Sequence, residues 1–209
     1  MSNEAVRRQL TRQRSYNEAN DYYPTPPWVV RSLLEHINIY GETVWEPAAG
    51  EGHMSRTFKE GEPSQVIATD IKPKASGIER IDFLMPTHCQ SMADVGIDWI
   101  ITNPPFKLLD KFIETADKYA RSMAFFCRLS ALEGKKRGAF YAKRPPSLIL
   151  PFSERVQGIA PGGFDLTKAS MVAYCWMIWI GDMKPTTLEW IPAGTAERLT
   201  KQGDYDEIN

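Results

Sequence analysis

A chain of 209 residues with 43% hydrophobic content and six tryptophans holds enough apolar material for one sizeable core, which excludes a disordered chain. A formal net charge of −1, from 25 Lys and Arg against 26 Asp and Glu, excludes global attraction to a polyanion, so any nucleic-acid binding needs a local patch. Three cysteines (Cys89, Cys127, Cys175) and three histidines (His36, His53, His88) lack disulfide or metal-ligand spacing, so no metal is expected. The N-terminus has no signal-peptide core, and the apolar run Met171 to Ile180 is too short to span a bilayer. A cytoplasmic setting without a membrane partner is the expectation; the oligomeric state is left open.

Residues 1–21 read as a polar arm with Arg7, Arg8, Arg12 and Arg14, residues 22–194 as a single domain, and 195–209 as a polar tail. After "YYPTPP", the apolar positions Val29, Val30, Leu33, Leu34 and Ile37 have helical spacing, with prolines at the helix start. "ETVWEPAAGEGHMSRTF" predicts a strand, a small-residue turn and a helix, and "SQVIATDI" a strand ending at Asp70. "RIDFL" is a weaker third strand and "VGIDWIITN" a fourth. "KLLDKFIETADKYA" is an amphipathic helix on Leu108, Leu109, Phe112, Ile113 and Ala116. "SMAFFCRL" is a fifth strand, followed by a basic helix or loop, "SALEGKKRGAFYAKR". "SLILPF" and "MVAYCWMIWI" complete seven strands, and "TLEWIP" suits an edge. The expected fold class is α/β, a mostly parallel Rossmann-like sheet with helices on both faces and an antiparallel strand near the C-terminus.

Ligands on such a sheet sit beyond the carboxyl ends of the strands, where four loops converge: "EPAAGEG", "TDI", "IDF" and "NPPF". Gly50 and Gly52 let the backbone approach a ligand closely. Ser55 stands where a dinucleotide fingerprint has its third glycine. Asp70, twenty residues after Gly50, is placed to accept ribose hydroxyls or to hold a turn. Asp82 and Phe83 suit a purine amine and face, or a solvent aspartate beside a core ring. In Asn103-Pro104-Pro105-Phe106 the prolines fix the backbone, so Asn103 Oδ1 and the Pro104 carbonyl are placed to accept both hydrogens of one exocyclic amine while Phe106 stacks on its ring. The plain alternative is Asn103 as a helix N-cap.

These residues resemble the amino-methyltransferase group of class I S-adenosylmethionine-dependent enzymes, in particular N6-adenine DNA methyltransferases. "NPPF" matches the signature Asp/Asn/Ser-Pro-Pro-Tyr/Phe/Trp, "EPAAGEGHM" is similar to the glycine motif, and "YPTPP" to the segment that closes over the methionine end of the cofactor. The motif order resembles the gamma arrangement, over roughly residues 22 to 130. The resemblance implies S-adenosylmethionine as cofactor, held by Tyr23, Thr25, Pro26, Glu46, Pro47, Ala48, Gly50, Gly52, Asp70, Ile71, Asp82, Phe83 and Asn103. It implies Asn103, Pro104, Pro105 and Phe106 as catalytic residues and an extruded adenine in DNA as partner. The large C-terminal recognition domain usual in gamma enzymes is not expected in this length. Arg128, Lys135, Lys136, Arg137, Lys143 and Arg144 form a basic run for a polyanion, or a solvated helix face. Methylation of an RNA amine, methylation of a protein glutamine, and a silent cofactor-binding subunit remain the alternatives.

Overall fold

The computed structural model describes residues 22–181 and 185–206; the basic arm from Arg7 to Arg14 lies outside them. The elements run α1 (Pro27–Leu34), β1 (Thr43–Glu46), α2 (His53–Phe58), β2 (Gln65–Asp70), β3 (Glu79–Arg80), α3 (Pro86–Ala93) and β4 (Trp99–Thr102). There follow α4 (Leu109–Tyr119), β5 (Ser122–Arg128), α5 (Lys135–Tyr141), β6 (Leu148–Pro151), a hairpin of β7 (Gln157–Ala160) and β8 (Gly163–Ala169), β9 (Tyr174–Ile180), β10 (Thr187–Leu188) and α6 (Thr195–Leu199). Eight strands form the main sheet in the order β10-β6-β9-β5-β4-β1-β2-β3. Its pairs are parallel except where β9 runs antiparallel between β5 and β6. This is the expected fold class, widened by the "TLEWIP" edge strand β10.

The central strands are apolar on both faces because both faces are covered. Along β9, Tyr174, Trp176 and Ile178 enter one buried cluster, and Cys175, Met177 and Trp179 enter the other. The same alternation sends Ala124 and Phe126 of β5 to the first cluster and Met123, Phe125 and Cys127 to the second. Helix α1 seals the first cluster with Trp28, Val29, Val30 and Leu33, and Trp176 Nε1 donates to the Val29 carbonyl at 3.1 Å. Helix α4 seals the second with Leu109, Phe112, Ile113 and Ala116, the stripe its periodicity predicts.

Several local expectations change. "RIDFL" is not a strand: β3 ends at Arg80, and the Asp82 carbonyl turns back to accept the Met85 N–H at 3.1 Å. Helix α3 and the β7–β8 hairpin, which leaves the sheet between β6 and β9, were not expected at all. Residues 195–206 are no tail. Arg31 on α1 reaches Asp204 with Nη1 and Nη2, both at 2.7 Å, and also bonds Glu60 and the Leu199 carbonyl. Tyr205 packs edge-on against Phe164, with ring centroids 5.0 Å apart. The segment from α6 to Asp204 is thus clipped to the first helix.

Candidate active site

Strand β1 lies between β2 and β4, so the chain departs in opposite directions on either side of it. That switch point opens a crevice at the strand ends. Asn103 directly follows β4 there. Its Nδ2 donates to the Tyr23 carbonyl and to Thr25 Oγ1, both at 3.0 Å. A carbonyl only accepts, so the amide nitrogen has to face residues 23–25, and Oδ1 remains an acceptor directed elsewhere. Asn103 caps no helix. The short 3₁₀ turn Phe106–Leu108 starts behind Pro105 without a side-chain cap, which removes the plain alternative for the asparagine.

Residues 22–26 form a strap across the glycine turn, ending at Pro26, which precedes α1. The Tyr22 carbonyl accepts the Gly162 N–H of the β7–β8 turn at 2.8 Å, and the Tyr22 ring lies over Gly50. A Cβ at Gly50 would stand 2.3 Å from Tyr22 Cε2, and the φ of +57° is one that glycine adopts freely. The turn is held from β2. Gly50 N–H donates to Asp70 Oδ2 at 2.8 Å and Lys72 N–H to Asp70 Oδ1 at 2.7 Å. Asp70 therefore braces the glycine turn with Oδ2 and closes its own turn after β2 with Oδ1, and each oxygen keeps a further lone pair for a ligand hydroxyl. Ile71 beside it is 53% exposed, an apolar surface at the strand end.

Between strap and turn lies a cavity lined by Tyr22, Tyr23, Thr25, Glu46, Ala48, His53 and Asn103. Pro47 is buried behind the turn, and Gly52, at φ +82°, turns the chain into α2. Glu46, 1% exposed, accepts a 2.6 Å hydrogen bond from Ser55 Oγ. Burial pushes its carboxyl pKa up to about 8, and the nearby Asp70 adds to the rise. His53 Nε2 lies 3.1 Å from Glu51, while burial lowers the imidazole pKa and favours the neutral ring. Among the described residues, two polar atoms on the cavity wall, Tyr22 Oη and His53 Nδ1, are buried without a well-formed hydrogen bond, although Glu51 acts on the Tyr22 hydroxyl. Unsatisfied buried polar atoms beside a glycine cradle fit a small polar ligand. The sequence reading missed Tyr22, His53 and Ser55; the Ser55 bond to Glu46 explains why a serine stands at the third glycine place.

The Glu46 carboxyl also sets a pH dependence. In the unfolded chain it ionises near its ordinary value of 4.5, whereas in the folded protein it stays protonated to about 8. Between those pH values the folded state holds a proton that the unfolded state has lost, so stability falls as pH rises, by at most about 1.4 kcal/mol per unit from this group. Glu46→Gln keeps the acceptor for Ser55 and abolishes the titration. Thermal melts of ligand-free protein at intervals from pH 5 to pH 8 should show the variant gaining steadily on the wild type. Parallel melting profiles would refute the assignment.

Other predicted residues behave differently. Phe83 is 2% exposed, its ring packed against Trp45 and Phe112 at centroid distances of 5.1 and 4.9 Å. It is a core aromatic, not a ring lying open over a purine. Asp82 Oδ1 accepts the Leu84 N–H at 2.9 Å, closing a local turn. The basic run is partly spent on α4: Arg137 pairs with Asp110 at 2.7 Å, Arg144 with Asp117 at 2.9 Å and Lys136 with Glu114 at 3.7 Å. Three cations of the run are thus engaged with acids of α4, Arg137 and Lys136 from α5 and Arg144 from just beyond it. Lys135 and Lys143 stand exposed. Arg128 turns instead to the "NPPF" segment, its Cζ lying 3.9 Å from the centre of the Phe106 ring.

No protein-family model and no curated protein matches this chain. Solved structures do. The modification subunit of a candidate type I restriction enzyme from Vibrio vulnificus YJ016 has a TM-score of 0.58 at 16% identity, covering 97% of this chain and 55% of that one. The DrdV–DNA complex gives 0.57 at 14% identity, over 94% of this chain and 31% of its own. A candidate RNA methyltransferase from Pyrococcus horikoshii gives 0.52 at 15% identity, over 79% and 89%. The chain thus spans 55% of the restriction-modification subunit it matches. With the sheet order and the glycine turn at the switch point, these neighbours define a class I methyltransferase fold.

Proposed function

We propose that this chain is an S-adenosylmethionine-dependent methyltransferase acting on the exocyclic N6 of adenine in DNA. The observation that carries the reading is the orientation of Asn103: its nitrogen is bound to Tyr23 and Thr25, so Oδ1 is the atom presented to a substrate. An adenine amine is a poor nucleophile because its lone pair is delocalised into the ring. Asn103 Oδ1 and the Pro104 carbonyl, accepting its two hydrogens, favour a pyramidal nitrogen and stabilise charge that develops in the transition state. When bound, the sulfonium supplies an activated methyl group. Glu46, Tyr22 and His53 suit its amino-acid end, Asp70 its ribose, and Ile71 its adenine. A base within a duplex has to be extruded to reach Asn103, at a cost of a few kcal/mol.

Incubation with methyl-labelled cofactor and separate DNA, RNA and protein pools tests the reading. Label in adenine of DNA supports it, and label confined to RNA or protein refutes the DNA assignment. RNA is the second reading, favoured by the likeness to the Pyrococcus horikoshii protein. Within the run, Lys135 and Lys143 are exposed and stand outside the pairings with α4, which makes them the cations best placed to meet a polyanion. Changing both to Gln should flatten the log–log salt dependence of duplex binding by about 0.9 for each phosphate no longer neutralised. Arg137→Gln should lower the melting temperature and leave that slope alone, since its partner is Asp110. An unchanged slope in the lysine variant would make the run a solvated face.

A further inference from the structure

The side chain of Arg128 lies over the ring of Phe106, the ring on which the proposed substrate base would stack. Strand β5 ends at Arg128, opposite Tyr174 at the start of β9, and both flank Phe106 of the signature. The Phe106 ring is half-buried, packed against the first core cluster and 5.4 Å from the Tyr23 ring. Tyr174 stands 6.5 Å away, tilted by 41°. The guanidinium of Arg128 lies over the Phe106 ring, 3.9 Å from its centre. A guanidinium is planar, delocalised and about as thick as a nucleobase, and it stacks on aromatic rings as a base does. Among the described residues Arg128 Nε is buried without a hydrogen-bond acceptor, although the guanidinium also acts on the neighbouring Tyr174 hydroxyl. A group settled as a permanent structural ion pair would not be left so.

We infer that Arg128 is a stand-in for the acceptor base: in the free protein its guanidinium covers the stacking face of Phe106, and an incoming base has to displace it. This rests on the base-methylation reading and adds a step to it. Displacement exchanges one stacked plane for another, so the face of the ring that Arg128 covers is never left bare to water. The released guanidinium emerges from the end of β5 beside the extruded nucleotide, where its Nε–H gains the acceptor it lacks, a phosphate oxygen. The arrangement also ranks ligands. A flat base with a good π-face competes with the guanidinium, whereas a sugar-phosphate backbone without a base leaves it seated.

The test separates the base from the backbone. Two short fluorescein-labelled oligothymidylate strands are used, one with a single central adenine and the other with an abasic position there. The ratio of their dissociation constants, abasic over adenine, is read by anisotropy for wild type, Arg128→Ala and Arg128→Met. Removing a cation from the phosphates weakens both strands alike and cancels in the ratio. With the stand-in removed, the ratio should rise roughly three- to thirtyfold, the equivalent of one cation–π interaction. Arg128→Met keeps an apolar side chain in place should the alanine variant fold poorly. An unchanged ratio in folded variants overturns the inference, and a lower ratio does too, since Arg128 would then be holding the base itself. Methyl transfer to nucleic acid by the wild type, measured separately, shows whether such a failure reaches the base-methylation reading or Arg128 alone.

Discussion

Replacing Asn103 with alanine is expected to lower kcat by about 10²–10³, the usual effect of removing one preorganised hydrogen-bonding group aimed at developing charge. The cofactor dissociation constant should rise as well, by less than about tenfold. That second effect follows from the structure, because the same side chain ties down Tyr23 and Thr25 in the strap. Thr25→Val separates the two roles. It removes one 3.0 Å bond to the asparagine nitrogen and leaves Oδ1 in place, so the cofactor should bind several-fold more weakly with kcat nearly kept. Equilibrium binding and single-turnover rates on both variants decide the matter. If Asn103→Ala loses cofactor binding and turnover in equal proportion, Asn103 belongs to the strap alone.

How much of this was legible in the sequence depends on the kind of signal. The sheet was, because strands buried on both faces read as continuous apolar runs, and "MVAYCWMIWI" fills both clusters by simple alternation. The four strand-end loops were legible too, since glycine, proline and short polar residues mark them. Partnerships between distant positions were not. Tyr22 looks like any aromatic beside a polar, arginine-bearing stretch, yet its ring covers Gly50. Ser55 looks like a missing glycine until Glu46 is found 2.6 Å away. In the basic run, charge was visible and pairing was not: the acids that neutralise Arg137 and Arg144 lie 27 positions earlier, on α4. Phe83 shows the opposite error, a core ring assigned a ligand because its neighbour fits a motif. Helix α3 had no usable signal, since "PTHCQSMA" carries little amphipathic pattern.

The largest stability effect is expected at the end of the described chain, in a segment whose composition reads as solvent-facing. Asp204 meets Arg31 across 173 positions, and the two side chains retain only 6% and 9% exposure. Deleting one member of such a pair leaves the other buried with part of its charge uncompensated. Arg31 would keep Glu60 and the Leu199 carbonyl, which places Asp204→Ala near the lower end of the usual range, about 3 kcal/mol. For a domain of this size that corresponds to a fall in Tm of roughly 6–12 °C. Asp204→Asn should lose less, because its carbonyl still accepts from one guanidinium N–H. The double variant Arg31→Met, Asp204→Leu should recover much of the loss, since apolar packing can replace a buried ion pair at little net cost. Truncation before Thr195 should destabilise as strongly as Asp204→Ala, because it removes both Asp204 and the Leu199 carbonyl from Arg31. If the truncated and full-length proteins melt together, residues 195–206 contribute nothing to the fold, and the Arg31 contacts are incidental.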